Sequence, residues 1–213
     1  MVIKLITCLI IVSLTVVFIC SPAVAQGQDV FSTTDQFVKS ILAGGDTLSV
    51  EAKGDLNGDG LADWAGVIHR QKQSPTYQLY VLLQQPGGGY RIAERSLEEE
   101  IAGMGCCWVE DLRIERSSIY IQNNAKTATT MEAATHQFRL YQGQWRLVGV
   151  KIYYLDNSKD TSTETDMNLL TGLVLEKNQK GSRKPTTKRS SRKFGRHLLK
   201  DFDFLNGYGA EQR

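Results

Sequence analysis

The alternation of apolar and polar residues from Tyr77 to Leu83 constrains this chain more than any other feature. Tyr77, Leu79, Val81 and Leu83 fall at every second position. A period of two puts them on one face of a strand, where a helix would scatter them. The pattern then recurs. Pro86-Gly87-Gly88-Gly89 supplies a turn, and Tyr90 to Arg95 alternates again. Leu112 and Ile114, then Ile119 and Ile121, predict a hairpin across Glu115 to Ser118. Phe138 and Leu140 lead through Gln142-Gly143 into Trp145, Leu147 and a long run ending near Tyr154, a second hairpin with one face buried. Leu169 to Leu175 predicts a further strand, while Glu98-Glu99-Glu100 and the stretch from Asp156 to Asp166 read as polar connections.

One short helix is expected ahead of these strands. Ser32-Thr33-Thr34-Asp35 reads as a capping box that satisfies free amides at a helix start. Phe37, Val38, Ile41 and Leu42 then recur at helical spacing, and Gly44-Gly45 ends the run. The expected fold is therefore mainly β. It is an antiparallel sheet assembly, partial propeller-like or sandwich-like, with one short N-terminal helix. No blade-length repeat is present, which argues against a complete propeller.

Residues 1–25 have the pattern of a signal peptide, not of a folded element. A short positive start at Met1 to Lys4 precedes an apolar run from Leu5 to Cys20, and Ala23-Val24-Ala25 offers a small-x-small cleavage site. A membrane anchor is the competing reading. The run falls short of a span of roughly 20 residues, Pro22 follows it, and no basic stop-transfer cluster flanks it. A lipoprotein would use Cys20, but the bulky Phe18-Ile19 suits that processing poorly. The chain is expected to be exported, periplasmic or secreted, with no membrane span after cleavage near Gln26.

Cleavage would leave Cys106 and Cys107 as the cysteines of the mature chain. They are adjacent. Ordinary disulfides want α-carbons roughly 4.4–6.8 Å apart, further than consecutive trans residues lie. The pair is expected to be two small buried thiols or one strained staple, with a redox-sensitive vicinal bridge as the alternative. The absence of any Cys-x-x-Cys motif gives no support to a zinc ribbon or a thioredoxin-like site.

Charge divides the mature chain. Residues 26–176 carry 13 Lys+Arg and 20 Asp+Glu, a net of −7, whereas residues 177–213 carry 11 and 3, a net of +8. Residues 26–176 are read as a β-rich domain, and residues 177–213 as a basic segment whose Phe194, Leu198-Leu199 and Phe202-x-Phe204-Leu205 dock back on it. The basic stretch suits an anionic surface, or simply complements the acidic body. Its aromatic residues do not interleave with the cations as a nucleic-acid stacking platform requires, so no nucleic-acid partner is expected.

The most specific chemistry lies in Asp55-Leu56-Asn57-Gly58-Asp59-Gly60-Leu61-Ala62-Asp63. Asp55, Asn57, Asp59 and Asp63 place side-chain oxygens at loop positions one, three, five and nine, and the Leu61 carbonyl stands at position seven. Calcium accepts six to eight oxygen ligands and suits such a set better than magnesium, which keeps its waters. Zinc would want histidine or thiolate. An Asx-rich turn without an ion is the competing reading. The loop is no EF-hand, because position twelve is Gly66, where that loop needs a bidentate glutamate. Trp64-Ala65-Gly66-Val67-Ile68 also reads as a buried strand, where an EF-hand would continue as a helix.

The segment from Gly54 to Trp64 resembles the calcium loop of FG-GAP (integrin alpha-like) and related VCBS repeats. The resemblance implies a structural calcium held by Asp55, Asn57, Asp59, the Leu61 carbonyl and Asp63, in a loop joining two strands. It occurs once, whereas propellers repeat it. The wider layout is similar to an uncharacterised exported bacterial protein family, which brings no known activity. That likeness rests on a helix before the single loop, Gly103 to Cys107, the Phe138-x-Leu140-Tyr141 hairpin ending in Trp145, and Asn168-Leu169-Leu170-Thr171-Gly172.

Gly-x-Ser-x-Gly, His-Glu-x-x-His and P-loop patterns are all missing. The leading expectation is a non-enzymatic, calcium-stabilised binding or structural module, with an envelope or extracellular protein or an anionic surface as partner. An envelope hydrolase using His69, His136 and Glu110-Asp111 is the alternative, and an inhibitor or immunity-type protein is a third.

Overall fold

The computed structural model describes residues 30–71, 75–100 and 107–203. The chain opens with β1 (Val30–Phe31) and α1 (Thr34–Ile41), then runs through β2 (Thr47–Gly54), β3 (Asp63–Arg70), β4 (Thr76–Gln84), β5 (Tyr90–Arg95) and β6 (Glu99–Glu100). These strands form one antiparallel sheet in the order β1-β5-β4-β3-β2, with β6 also paired to β4. A second antiparallel sheet follows as β7 (Cys107–Glu115), β8 (Ser118–Lys126), β9 (Thr130–Tyr141), β10 (Gln144–Asp156), β11 (Thr161–Asn168), β12 (Leu173–Lys180) and β13 (Thr186–Ser191). It is a meander, each strand bonded to its neighbours in sequence.

The two sheets face each other across one core, so the arrangement is sandwich-like, and no closed barrel forms. Alternation decides which residues enter that core. Ala65 and Val67 of β3 and Leu79 and Val81 of β4 meet Ile119, Ile121, Phe138 and Val150 of the second sheet. The opposite face of the first sheet is also covered. Trp64, Ile68, Tyr80 and Leu82 lie under α1, which inserts the fully buried Phe37. Its ring meets Trp64 at 5.7 Å and Tyr80 at 5.3 Å, both edge to face. Burying such a side chain contributes about 2–3 kcal/mol, and covering both faces explains why Trp64 to Ile68 of β3 are all apolar.

Local chemistry sets the boundaries. The helix cap is Thr33, whose hydroxyl accepts from the Gln36 amide at 3.1 Å, while Ser32 donates to the Gln36 side chain. The capping box therefore sits one residue later than Ser32-x-x-Asp35. Arg116 and Ser117 both take positive φ between β7 and β8, as do Gln142 and Gly143 between β9 and β10. These are the two-residue turns whose twist matches a hairpin.

The second half departs from expectation in two places. Residues 161–166, part of the stretch from Asp156 to Asp166 read as a connection, belong to β11. Residues 169–172, read as part of a strand, are the turn after it, and β12 starts at Leu173. Asn168 causes the turn, since its side-chain oxygen accepts from the amides of Leu170 and Thr171. Residue 177, where the charge changes sign, lies within β12. Beyond β13 the chain returns to β10, where Leu198 bridges Arg146, and a single 3₁₀ turn (Leu199–Asp201) carries Leu199 and Phe202 into the core.

Candidate functional site

The loop from Asp55 to Ala62 joins β2 to β3, and its conformation follows from its short polar side chains. Asp55 accepts from the amides of Gly58 at 2.7 Å and Gly60 at 3.0 Å, one on each carboxylate oxygen. The Asn57 oxygen accepts from the Asp59 amide, and Asp59 from the Leu61 amide and the Asn57 side chain. Gly58 and Gly60 stand at φ +83° and +81°, a region that costs glycine little and other residues more. Leu56, between the polar positions, is buried in the main core and anchors the loop to it.

Asp63 differs from the other acids. It is fully buried, and its two oxygens accept from the amides of Leu56 at 2.8 Å and Gln84 at 2.9 Å. One carboxylate thus ties the end of β2, the start of β3 and the end of β4. Burial pushes its carboxyl above the usual carboxylate range, with the nearby Asp59 and Asp55 charges adding to the push and the two amides opposing it. Asp55 is held below that range by its hydrogen bonds to Gly58 and Gly60.

The donors fit a hard cation in kind, being all oxygens. Each oxygen of Asp55 and Asp63 that accepts one amide keeps a second lone pair. Among the described residues, no three His, Cys, Asp or Glu side chains gather in metal-holding geometry. Gln84 was not foreseen in the sequence. Its side chain accepts from the Ala62 amide at 3.0 Å, closing the loop against β4. The β3–β4 register, with Trp64 opposite Leu82, places Ala62 across from it. Only the pairing, not the local sequence, reveals that contact.

The other candidates lie apart. His136 is buried in the core, its ring 4.9 Å from Phe202, and burial lowers its pKa to about 4. His69 stacks on Tyr77 at 4.7 Å in the first sheet. Asp111 pairs with Arg113 at 3.0 Å, and the exposed Glu110 accepts from Trp108. Each is tied to a different neighbour, and the histidine–carboxylate set of a hydrolase is not brought together. Cys106 lies outside the described residues, and Cys107 opens β7. No described helix is long and apolar enough to cross a membrane. No protein-family model matches the chain, and no curated protein or solved structure matches it either.

Proposed function

We propose that the protein is an exported β-rich module, clasped by calcium at the Asp55–Asp63 loop, that binds a partner or serves a structural role. The observation that carries the calcium reading is Asp63, a buried carboxylate with two further acids in the same loop. Burying charge without a counter-charge is costly, and two amide hydrogen bonds offset only part of that cost here. A divalent cation would remove the remainder. Calcium would be held by Asp55, Asn57, Asp59, the Leu61 carbonyl and Asp63, as in the FG-GAP and VCBS loops that this segment resembles. When bound it supplies charge neutralisation and cross-linking. The structural role follows from position, because Asp63 already ties three strand ends. Export rests on the signal pattern of residues 1–25.

Calorimetric melting of the mature chain, with calcium and with excess chelator, tests the clasp. Calcium at a hundred times its dissociation constant contributes about 2.7 kcal/mol, which raises the Tm of a domain this size by roughly 5–10 °C. Asp59→Asn should abolish most of that gain and leave the chelated protein unchanged. An identical Tm in both buffers, with no calcium uptake by titration calorimetry, would refute the clasp.

A further inference from the structure

The β9–β10 hairpin, the turn at residues 169–172 and the chain leaving β13 enclose an open cleft of about 560 Å³. Its charge is one-sided. Arg146, Arg192 and Lys193 line it beside the hydroxyls of Thr171 and Ser191, and none of the described lining residues is acidic. Arg146 comes from the acidic body, whose residues 26–176 carry a net −7, and Arg192 and Lys193 from the basic stretch that follows it.

Arg146 is held in place. Its guanidinium lies over the Tyr141 ring at 5.2 Å, its backbone bridges Leu198, and its buried Nε donates no hydrogen bond. The Arg192 backbone is fixed by its amide, which donates to the Gly172 carbonyl at 2.8 Å. The rim is apolar. Leu170 is 45% exposed and Tyr141 37%, two of the few large hydrophobic side chains left open to solvent among the described residues. A third, Leu175, stands opposite Arg189 on the neighbouring strand, and Arg189 lines the adjoining hollow.

Planar guanidinium groups match phosphate oxygens. A free hydrated anion has no use for the apolar rim, whereas the boundary between headgroups and acyl chains matches both halves of the patch. We propose that this cleft binds the phosphate of an anionic lipid headgroup, with Leu170 and Tyr141 entering the interface. The proposal deepens the module reading by naming a partner, and it does not depend on the calcium clasp.

Co-sedimentation of the mature protein with vesicles tests it, using phosphatidylcholine alone and phosphatidylcholine mixed with phosphatidylglycerol, each with and without chelator. Binding is expected only to the mixed vesicles, and equally in both buffers. Arg146→Gln with Lys193→Gln should weaken it about 30-fold, from roughly fivefold per cation near an anionic surface. Lys193→Gln alone, at an exposed site, gives the same direction should the double variant fold poorly. Lys180→Gln with Arg183→Gln removes equal charge at the far end of the β12–β13 hairpin and should leave binding within twofold. Equal loss in that control would reduce the effect to net charge and overturn the site. Absence of vesicle binding would overturn it too, as would saturable binding of inorganic phosphate alone. Vesicle binding lost while calcium still raises the Tm would remove the lipid assignment and leave the clasp standing.

Discussion

Acidification should destabilise this protein through one core histidine. His136 sits between Ile121 and Val150 on its neighbouring strands, with the Phe202 ring across its face and its Nδ1 buried without a hydrogen-bond partner. Burial disfavours the imidazolium and lowers the pKa from 6.5 to about 4. The unfolded chain takes up this proton below about pH 6.5 and the folded chain only near pH 4, so stability is full above that window and declines as pH falls through it. At about 1.4 kcal/mol per pH unit, the loss reaches about 3 kcal/mol by pH 4, a large share of the 5–15 kcal/mol typical of a domain. Asp156, held down to about 2 by its hydrogen bonds to Lys159 and Ser158, loses its contribution below pH 3.8, outside the window. The assay is urea unfolding of the wild type and His136→Leu from pH 7 to pH 4, with the histidine titrated by NMR. Carboxylates common to both proteins cancel in the difference. The wild type should lose about 3 kcal/mol more than the variant, and parallel stability curves would refute the reasoning.

Two further substitutions examine how the C-terminal part is held. Phe202→Ala should cost about 3–5 kcal/mol and return the NMR-measured pKa of His136 toward 6.5, because the ring that covers it is gone; a histidine still titrating near 4 would show that Phe202 does not seal it. Gly172 stands at φ +79°, where a Cβ would run into the Arg192 carbonyl oxygen. Gly172→Ala should therefore cost about 2–3 kcal/mol or more and raise hydrogen exchange in β12 and β13 while β4 stays protected, and uniform exchange would contradict that local origin.

The sequence made legible whatever depended on local period and turn chemistry. The alternation of Tyr77 to Leu83 is β4, the two-residue turns fall where the hairpins were expected, and Trp64 to Ile68 lie in a strand buried on both faces. Strand β11 escaped notice because Thr161–Asn168 carries one apolar side chain, Met167. It is a strand through its pairing with β10 and β12, which is a tertiary fact. Residues 169–172 misled for the opposite reason, since their hydrophobic content masks the Asn168 and Gly172 turn signals, whereas 173–175 do open β12. The loop was legible as a set of oxygen donors. Its closure by Gln84 depends on hairpin register, and the basic cleft brings together residues 141, 146, 170 and 192–193, which only the folded chain makes neighbours.

The return of the chain after β13 has a consequence for the order of assembly. Leu199 and Phe202 are the last core side chains among the described residues, yet the turn that carries them packs against β10 and against β5, which lies more than a hundred residues earlier. A chain emerging from its N-terminal end can zip the meander hairpin by hairpin, each closing only a short loop. It cannot seal its interior until this strap follows. Until then the part of the core beside His136 and Phe138, which the Phe202 ring covers, stays open to water, so the final closure waits for the last described stretch of the chain.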